Sequence, residues 1–121
     1  MTIVYLQDFG GDENFHLYSV DIESDLIEDL TPFPNVRAEV IAIEPKVSNE
    51  ILVGLNKNNP QLFDVYRLNL HDGTIELDTK NPGNIVSWQA NTQLEILAAI
   101  ANQFVMVKLI SSIAIWQIKH G

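Results

Sequence analysis

The sequence predicts an all-β chain, a partial β-propeller of two to three four-stranded antiparallel blades, and three observations lead there. First, sliding the chain by 48 residues brings two stretches into gapless register. Ile3 falls on Ile51, Phe15 on Phe63, Tyr18 on Tyr66, Ile27 on Ile75, Glu28 on Glu76, Thr31 on Thr79 and Pro34 on Pro82. A repeat of that length is typical of propeller blades. Second, the apolar runs are short and bounded by Asn, Asp, Gly and Pro clusters, which is the punctuation of strands rather than helices. Third, four such runs fit each unit, the number in one blade. A β-sandwich is the alternative, although its strands need not recur in groups of four.

Taken in order, the first unit, about 3–36, begins at its second strand, because Ile3 aligns with Ile51 and nothing before it supplies an innermost strand. Asp8 to Asn14 reads as a long projecting loop, and Glu23-Ser24-Asp25 as a hairpin turn looser than its counterpart, since it lacks glycine. The second unit, about 37–84, should place strands at Ala38 to Ile43, Glu50 to Leu55, Asp64 to Leu70 and Thr74 to Thr79. Tyr66 and Leu68 should face one side of its third strand and Val65 the other. His71-Asp72-Gly73 forms a three-residue hairpin turn with glycine where a positive φ is wanted. Asn56 to Leu62 contains Pro60, which cannot donate to a ladder, and reads as a second projecting loop. The third unit, about 85–118, is a degraded copy, hinted at by Glu95-Ile96-Leu97 repeating Glu50-Ile51-Leu52. One domain, 1–121, holds all three.

Charge divides the chain differently. Of 16 acidic side chains, all but Glu95 precede Leu94, whereas Leu94 to Ile118 carries only Glu95 and Lys108. That apolar tail is long enough to span a bilayer if helical, but Asn102, Gln103, Lys108, Ser111 and Ser112 interrupt it. Buried strands are the expectation; a C-terminal helix, permitted by Ala98, Ala99 and Ala101, is the alternative. A net charge of -9 argues against nucleic acid and anionic lipid as partners. Without cysteine there is no disulfide, thiolate metal site or cysteine nucleophile. No charged-then-apolar leader opens the sequence, so the cytoplasm is the expected address.

The segments Val4-Tyr5-Leu6-Gln7-Asp8, Gly10-Gly11-Asp12-Glu13-Asn14-Phe15-His16-Leu17-Tyr18-Ser19-Val20-Asp21 and Asp29-Leu30-Thr31-Pro32-Phe33 carry a resemblance. So do Val53-Gly54-Leu55-Asn56 and Asp64-Val65-Tyr66-Arg67-Leu68-Asn69-Leu70 with Gly73. From about Thr2 to Ala101 the chain resembles the N-terminal propeller of prolyl oligopeptidase-family serine peptidases, of the acylaminoacyl-peptidase-like kind. The resemblance implies a non-catalytic domain that lids a hydrolase domain and gates substrate, so the expected function is that of a binding or assembly module or of a vestigial fragment. It fades after Ala101, as a truncated gene would. No G-x-S-x-G elbow surrounds Ser19, Ser24, Ser48, Ser87, Ser111 or Ser112, so no catalytic residue carries over.

The remaining candidates have ordinary readings. Asp21, Glu23 and Asp25 alternate as a calcium loop begins, but lack its glycine and distal glutamate and read as a solvated hairpin tip. Asp8-Phe9-Gly10 matches the kinase magnesium triplet by accident, with no other kinase motif beside it. His16, His71 and His120 have no evident acid partner. Tyr18 and Tyr66 should pack between sheets with the hydroxyl reaching a loop, and Trp88 and Trp116 should be core. Neither catalytic residues, cofactor nor metal is therefore expected. Fewer than three blades cannot close a ring of four to eight. A homo-oligomer through Leu94 to Ile118 is the expected assembly, with a peptide or a separately encoded peptidase as further partner.

Overall fold

The computed structural model describes residues 2–44, 47, 49–83, 85–101, 104–109 and 112–117, with side chains toward the C-terminus only up to 97 and at 99. These residues form strands and no helix: β1 (Thr2–Gln7), β2 (His16–Asp21), β3 (Ile27–Asp29), β4 (Ala38–Ile43), β5 (Glu50–Asn59), β6 (Leu62–Asn69), β7 (Ile75–Thr79), β8 (Ser87–Ala90), β9 (Ile96–Ala101), β10 (Phe104–Leu109) and β11 (Ser112–Gln117). They pair into three antiparallel sheets, β1-β2-β3, β4-β5-β6-β7 and β8-β9-β10-β11, each in chain order. The arrangement is all-β and propeller-like, and among the described residues the first sheet has three strands, the first of which matches β5 in the repeat.

The repeat is visible in the hydrogen-bonded register itself. Each β1–β2 pair, from Thr2↔Asp21 to Gln7↔His16, reappears 48 residues later in β5–β6, from Glu50↔Asn69 to Leu55↔Asp64. The pairs Tyr18↔Asp29, Ser19↔Glu28 and Val20↔Ile27 likewise become Tyr66↔Leu77, Arg67↔Glu76 and Leu68↔Ile75.

Two apolar clusters lie on the two faces of the middle sheet. One joins Ile51, Val53, Leu55, Tyr66 and Leu68 to Leu17, Leu30 and Val36 of the first unit. The other joins Leu52 and Val65 to Ile85, Trp88, Leu94, Ile96 and Ala99 of the third. Tyr66 and Leu68 thus oppose Val65 across the sheet, as strand alternation requires. With both faces covered, Ile51 to Leu55 is an unbroken buried run, which a two-sheet sandwich would not demand.

Three expectations are corrected. Asn56 to Leu62 is not a loop: β5 and β6 extend through it to Asn59↔Leu62, past a register shift, with a turn at Pro60-Gln61 where fixed φ is an advantage and no N–H is needed. The turn at Glu23-Ser24-Asp25 is as tight as its counterpart. Asp25 takes φ +58 where Gly73 takes +76, and Asp25 N bonds Asp21 O at 2.8 Å as Gly73 N bonds Asn69 O at 2.9 Å. Aspartate tolerates this left-handed conformation better than most side chains. The alternative of a C-terminal helix fails, because β9 pairs with β8 and β10, and β10 with β11, so backbone polar groups of the apolar tail are met by neighbouring strands. Ser48, Ser111 and His120 lie outside the described residues, as do the side chains of Ser112 and Trp116.

Candidate functional site

β-Strand alternation sends Ile3, Tyr5, Tyr18 and Val20 to the face of the first sheet turned away from the middle sheet, with Ile27 beside Val20. Their repeat counterparts, Ile51, Val53, Tyr66, Leu68 and Ile75, form the face that the first unit covers. Ile3 is 44% exposed where Ile51 is 2%, and Ile27 is 59% exposed although Ile75 is packed against the core. Isoleucines at the same blade positions are therefore packed in one copy and exposed in the other, while Tyr5, Tyr18 and Val20 are half-buried. Tyr5 and Tyr18 stack at 5.6 Å between ring centroids, and His16 stacks on Tyr18 at 6.3 Å, making a flat aromatic strip along this face. Partial desolvation, and then the negative charge of Asp29, raise the Tyr18 phenol above its ordinary value.

His16 does have an acid partner, contrary to the sequence reading: its Nδ1 lies 2.7 Å from Asp29 Oδ2. The β2–β3 hairpin sets Tyr18 opposite Asp29, which brings a residue thirteen positions away diagonally onto His16. This pair reaches no nucleophile among the described residues. Ser19 lies on the opposite side of β2, and the Thr31 hydroxyl accepts the Leu17 N–H at 3.0 Å. His71 occupies the turn after β6, and its N–H donates to Asn69 Oδ1 at 2.8 Å. Asp21 serves its own turn, accepting Glu23 N at 3.1 Å and Ser24 Oγ at 3.2 Å, so the calcium-like spacing is turn chemistry. Asp8 and Asp12 similarly bond the backbone of their loop, at Glu13 N and Asn14 N. Among the described residues no group of His, Asp and Glu is arranged to hold a metal, and no helix is long and apolar enough to cross a membrane.

The sequence reading missed a buried polar network between the second and third units. Asn81 donates from Nδ2 to the carbonyls of Phe63 and Ile85 and accepts at Oδ1 from the N–H groups of Gly83 and Ile85. Its own N–H donates to the buried Asp64 carboxylate at 2.6 Å, which also accepts from Asn58 Nδ2. Desolvation, followed by the Asp64 charge, raises the Tyr66 phenol, while its hydrogen bond with Asn58 opposes the shift. Tyr66 thus packs between sheets as expected but turns its hydroxyl to Asn58 in the extended β5 and not to a loop. Tyr18, expected between sheets as well, lies on the outer face of the first sheet, because no described sheet covers that side. Arg67 ties the same units together, reaching Glu50, Asp78 and the Leu94 carbonyl. Trp88 is core, its indole N–H bonded to the Phe63 carbonyl.

Beside this network an open cleft of about 520 Å³ is lined by Leu62, Phe63, Ile85, Val86, Trp88 and the half-buried Glu39. Glu39 lies over Gly54, where an added Cβ would approach its Cγ to 2.9 Å. Burial raises the Glu39 carboxyl above its ordinary value, with Arg37 pulling the other way. The folded state therefore resists ionisation, and stability falls as pH rises from the ordinary glutamate range through the raised one. Glu39→Gln should melt at a higher temperature than the parent at pH 7, with the difference vanishing below about pH 4, where both side chains are neutral. Thermal scans across that range check it.

No family model matches the chain, and no solved structure matches it. Two curated proteins do. Dipeptidyl aminopeptidase BIII of Pseudoxanthomonas mexicana is 43% identical over 90 residues, covering 74% of this chain and 13% of that protein. Dipeptidyl peptidase family member 6 of Caenorhabditis elegans is 28% identical over 87 residues, covering 66% of this chain and 12% of that protein. The chain spans about an eighth of the length of the curated relatives it matches.

Proposed function

We propose that this chain, a relative of prolyl oligopeptidase-family peptidases, is a non-catalytic propeller segment akin to their substrate-gating lid and acts as a binding or assembly module. The peptidase activity in the relatives' names belongs to proteins of which the matched region is a small part. One observation carries the reading: the outer face of β1–β3 repeats, position for position and with apolar or aromatic residues throughout, a face that elsewhere in the chain is covered by a neighbouring sheet. An exposed apolar face of this kind marks an interface.

The assembly that uses it is a homo-oligomer joined head to tail, in which the region 94–118 of one copy lies against the outer face of β1–β3 of the next. These are the two ends of the stack of sheets, and two copies would contribute six sheets, within the four to eight of closed propellers. Its setting is the cytoplasm. A second reading, a ring completed by a separately encoded peptidase, draws on the same exposed face. Sedimentation of the pure chain should give twice the monomer mass at micromolar concentration. Tyr18→Glu, which places charge in the aromatic strip, should return it to the monomer while leaving the β-sheet circular dichroism unchanged. A parent chain that is monomeric throughout would overturn the homo-oligomer; mass growth only on adding a peptidase of this family would favour the second reading.

A further inference from the structure

Glu39 is held against the middle sheet by a glycine. It stands opposite Gly54 in the β4–β5 register, and a Cβ at position 54 would meet its Cγ at 2.9 Å and its Oε1 at 3.1 Å, so a larger residue there would displace the side chain. The repeat counterpart of Gly54 is Leu6, so this cradle belongs to the middle sheet and not to blade patterning in general. Held there, the half-buried glutamate forms one wall of the cleft completed by Leu62, Phe63, Ile85, Val86 and Trp88.

Among the described residues no donor reaches that carboxylate. It makes no ion pair and no hydrogen bond, and Arg37, whose charge acts on it, is exposed and lies over the Phe15 ring at 5.6 Å from the centroid. By contrast, Asp64 is held by Asn81 and Asn58, Asp29 by His16, and Glu50 by Arg67. An ionised, half-desolvated carboxylate without a partner costs free energy that no contact among the described residues offsets, and a cation in the cleft would supply the missing partner.

We propose that this cleft receives an arginine side chain from a segment of a partner protein, its guanidinium paired with Glu39 and its apolar neighbours covering Val86. A guanidinium suits the site better than an ammonium. It is more weakly hydrated, pairs with a carboxylate through two parallel bonds, and is favoured beside aromatic side chains, here Phe63 and Trp88. The cleft, at about 520 Å³, falls in the usual range of about 300–1,000 Å³ for ligand pockets. Because it is open, a small free cation would leave much of itself in water, whereas a segment also covers Val86, which is 75% exposed. A net charge of -9 draws a cationic segment from a distance. The inference rests on the binding role proposed above, but it uses residues separate from the outer face of β1–β3, so its failure leaves the assembly reading untouched.

The test is calorimetric titration of the full chain with the pentapeptide Ala-Leu-Arg-Leu-Ala, blocked at both ends so that the guanidinium is its only charge. Saturable binding is expected. Citrulline, the neutral isostere, in place of arginine should weaken binding at least about tenfold. Glu39→Gln should weaken binding of the arginine peptide by the same factor and leave that of the citrulline peptide unchanged. This variant is the same size as the parent and is expected to be the more stable protein at pH 7, so misfolding does not account for the loss. Glu28→Gln, which removes an exposed charge from β3, should leave binding unchanged. Ethylguanidine alone should bind at least about tenfold more weakly than the peptide. No binding at millimolar peptide, equal binding of the citrulline peptide, or equal loss in Glu39→Gln and Glu28→Gln would overturn the site. Equal affinity for ethylguanidine would overturn the partner segment.

Discussion

Ile51→Ala is expected to cost about 3–4 kcal/mol of unfolding free energy, whereas Ile3→Ala, the same change at the same repeat position, should cost less than about 1 kcal/mol in the monomer. Ile51 is 2% exposed and packed between two sheets; Ile3 is 44% exposed on the open face. Removing three carbons from Ile51 leaves a cavity that Val53, Leu68 and Leu17 cannot collapse into without breaking strand register. At Ile3 water already occupies one side. Urea titrations below the assembly concentration measure both, and the linear slope checks that neither change alters the surface exposed on unfolding. Equal losses would mean that the outer face of β1–β3 is covered within the monomer.

The second large effect is at Asn81. Asn81→Ala leaves the N–H groups of Gly83 and Ile85 and the Ile85 carbonyl without the partner they have now, in a place where water does not reach freely. A loss of about 3 kcal/mol is expected. Asn81→Asp keeps the two accepted bonds and loses the two donated ones, and sets a second carboxylate near Asp64. It should therefore also destabilise, but less so at low pH, where its carboxyl can be protonated and donate again. Chemical denaturation of both variants at pH 7 and pH 4 measures this. Near-neutral behaviour of Asn81→Ala would show that this network does not hold the second and third units together.

What the sequence revealed and what it hid divide along one line. Features written twice were legible: the paired registers of β1–β2 and β5–β6 and the tyrosine at position 18 or 66 both follow from the repeat. Features present in one copy were not. Asn81 and Asp64 correspond to Phe33 and His16, so self-comparison could not show that they form a network. The partner of His16 was hidden for a related reason, since Asp29 reaches it only through the diagonal geometry of a hairpin. Pro60 misled because proline was taken to end pairing over a whole segment, when it occupies only the turn between two extended strands. Asp25 misled because its left-handed backbone leaves no trace in residue type as plain as a glycine. In the tail, Ala98, Ala99 and Ala101 suit a helix by intrinsic propensity, but pairing with β8 and β10 outweighs it.

The central claim is that the exposed face of the first sheet is a blade face that another sheet covers, and the absence of cysteine makes it directly measurable. A single thiol introduced by Ile27→Cys sits on that face, and one introduced by Phe9→Cys sits on the exposed loop before β2 as a control. Labelling rates are followed as protein concentration is raised through the range in which mass doubles. The thiol at position 27 should become protected by at least about tenfold as the dimer forms, while that at position 9 stays equally reactive. If the mass doubles and position 27 labels as fast as in the monomer, the outer face of β1–β3 is not the interface and the account is wrong.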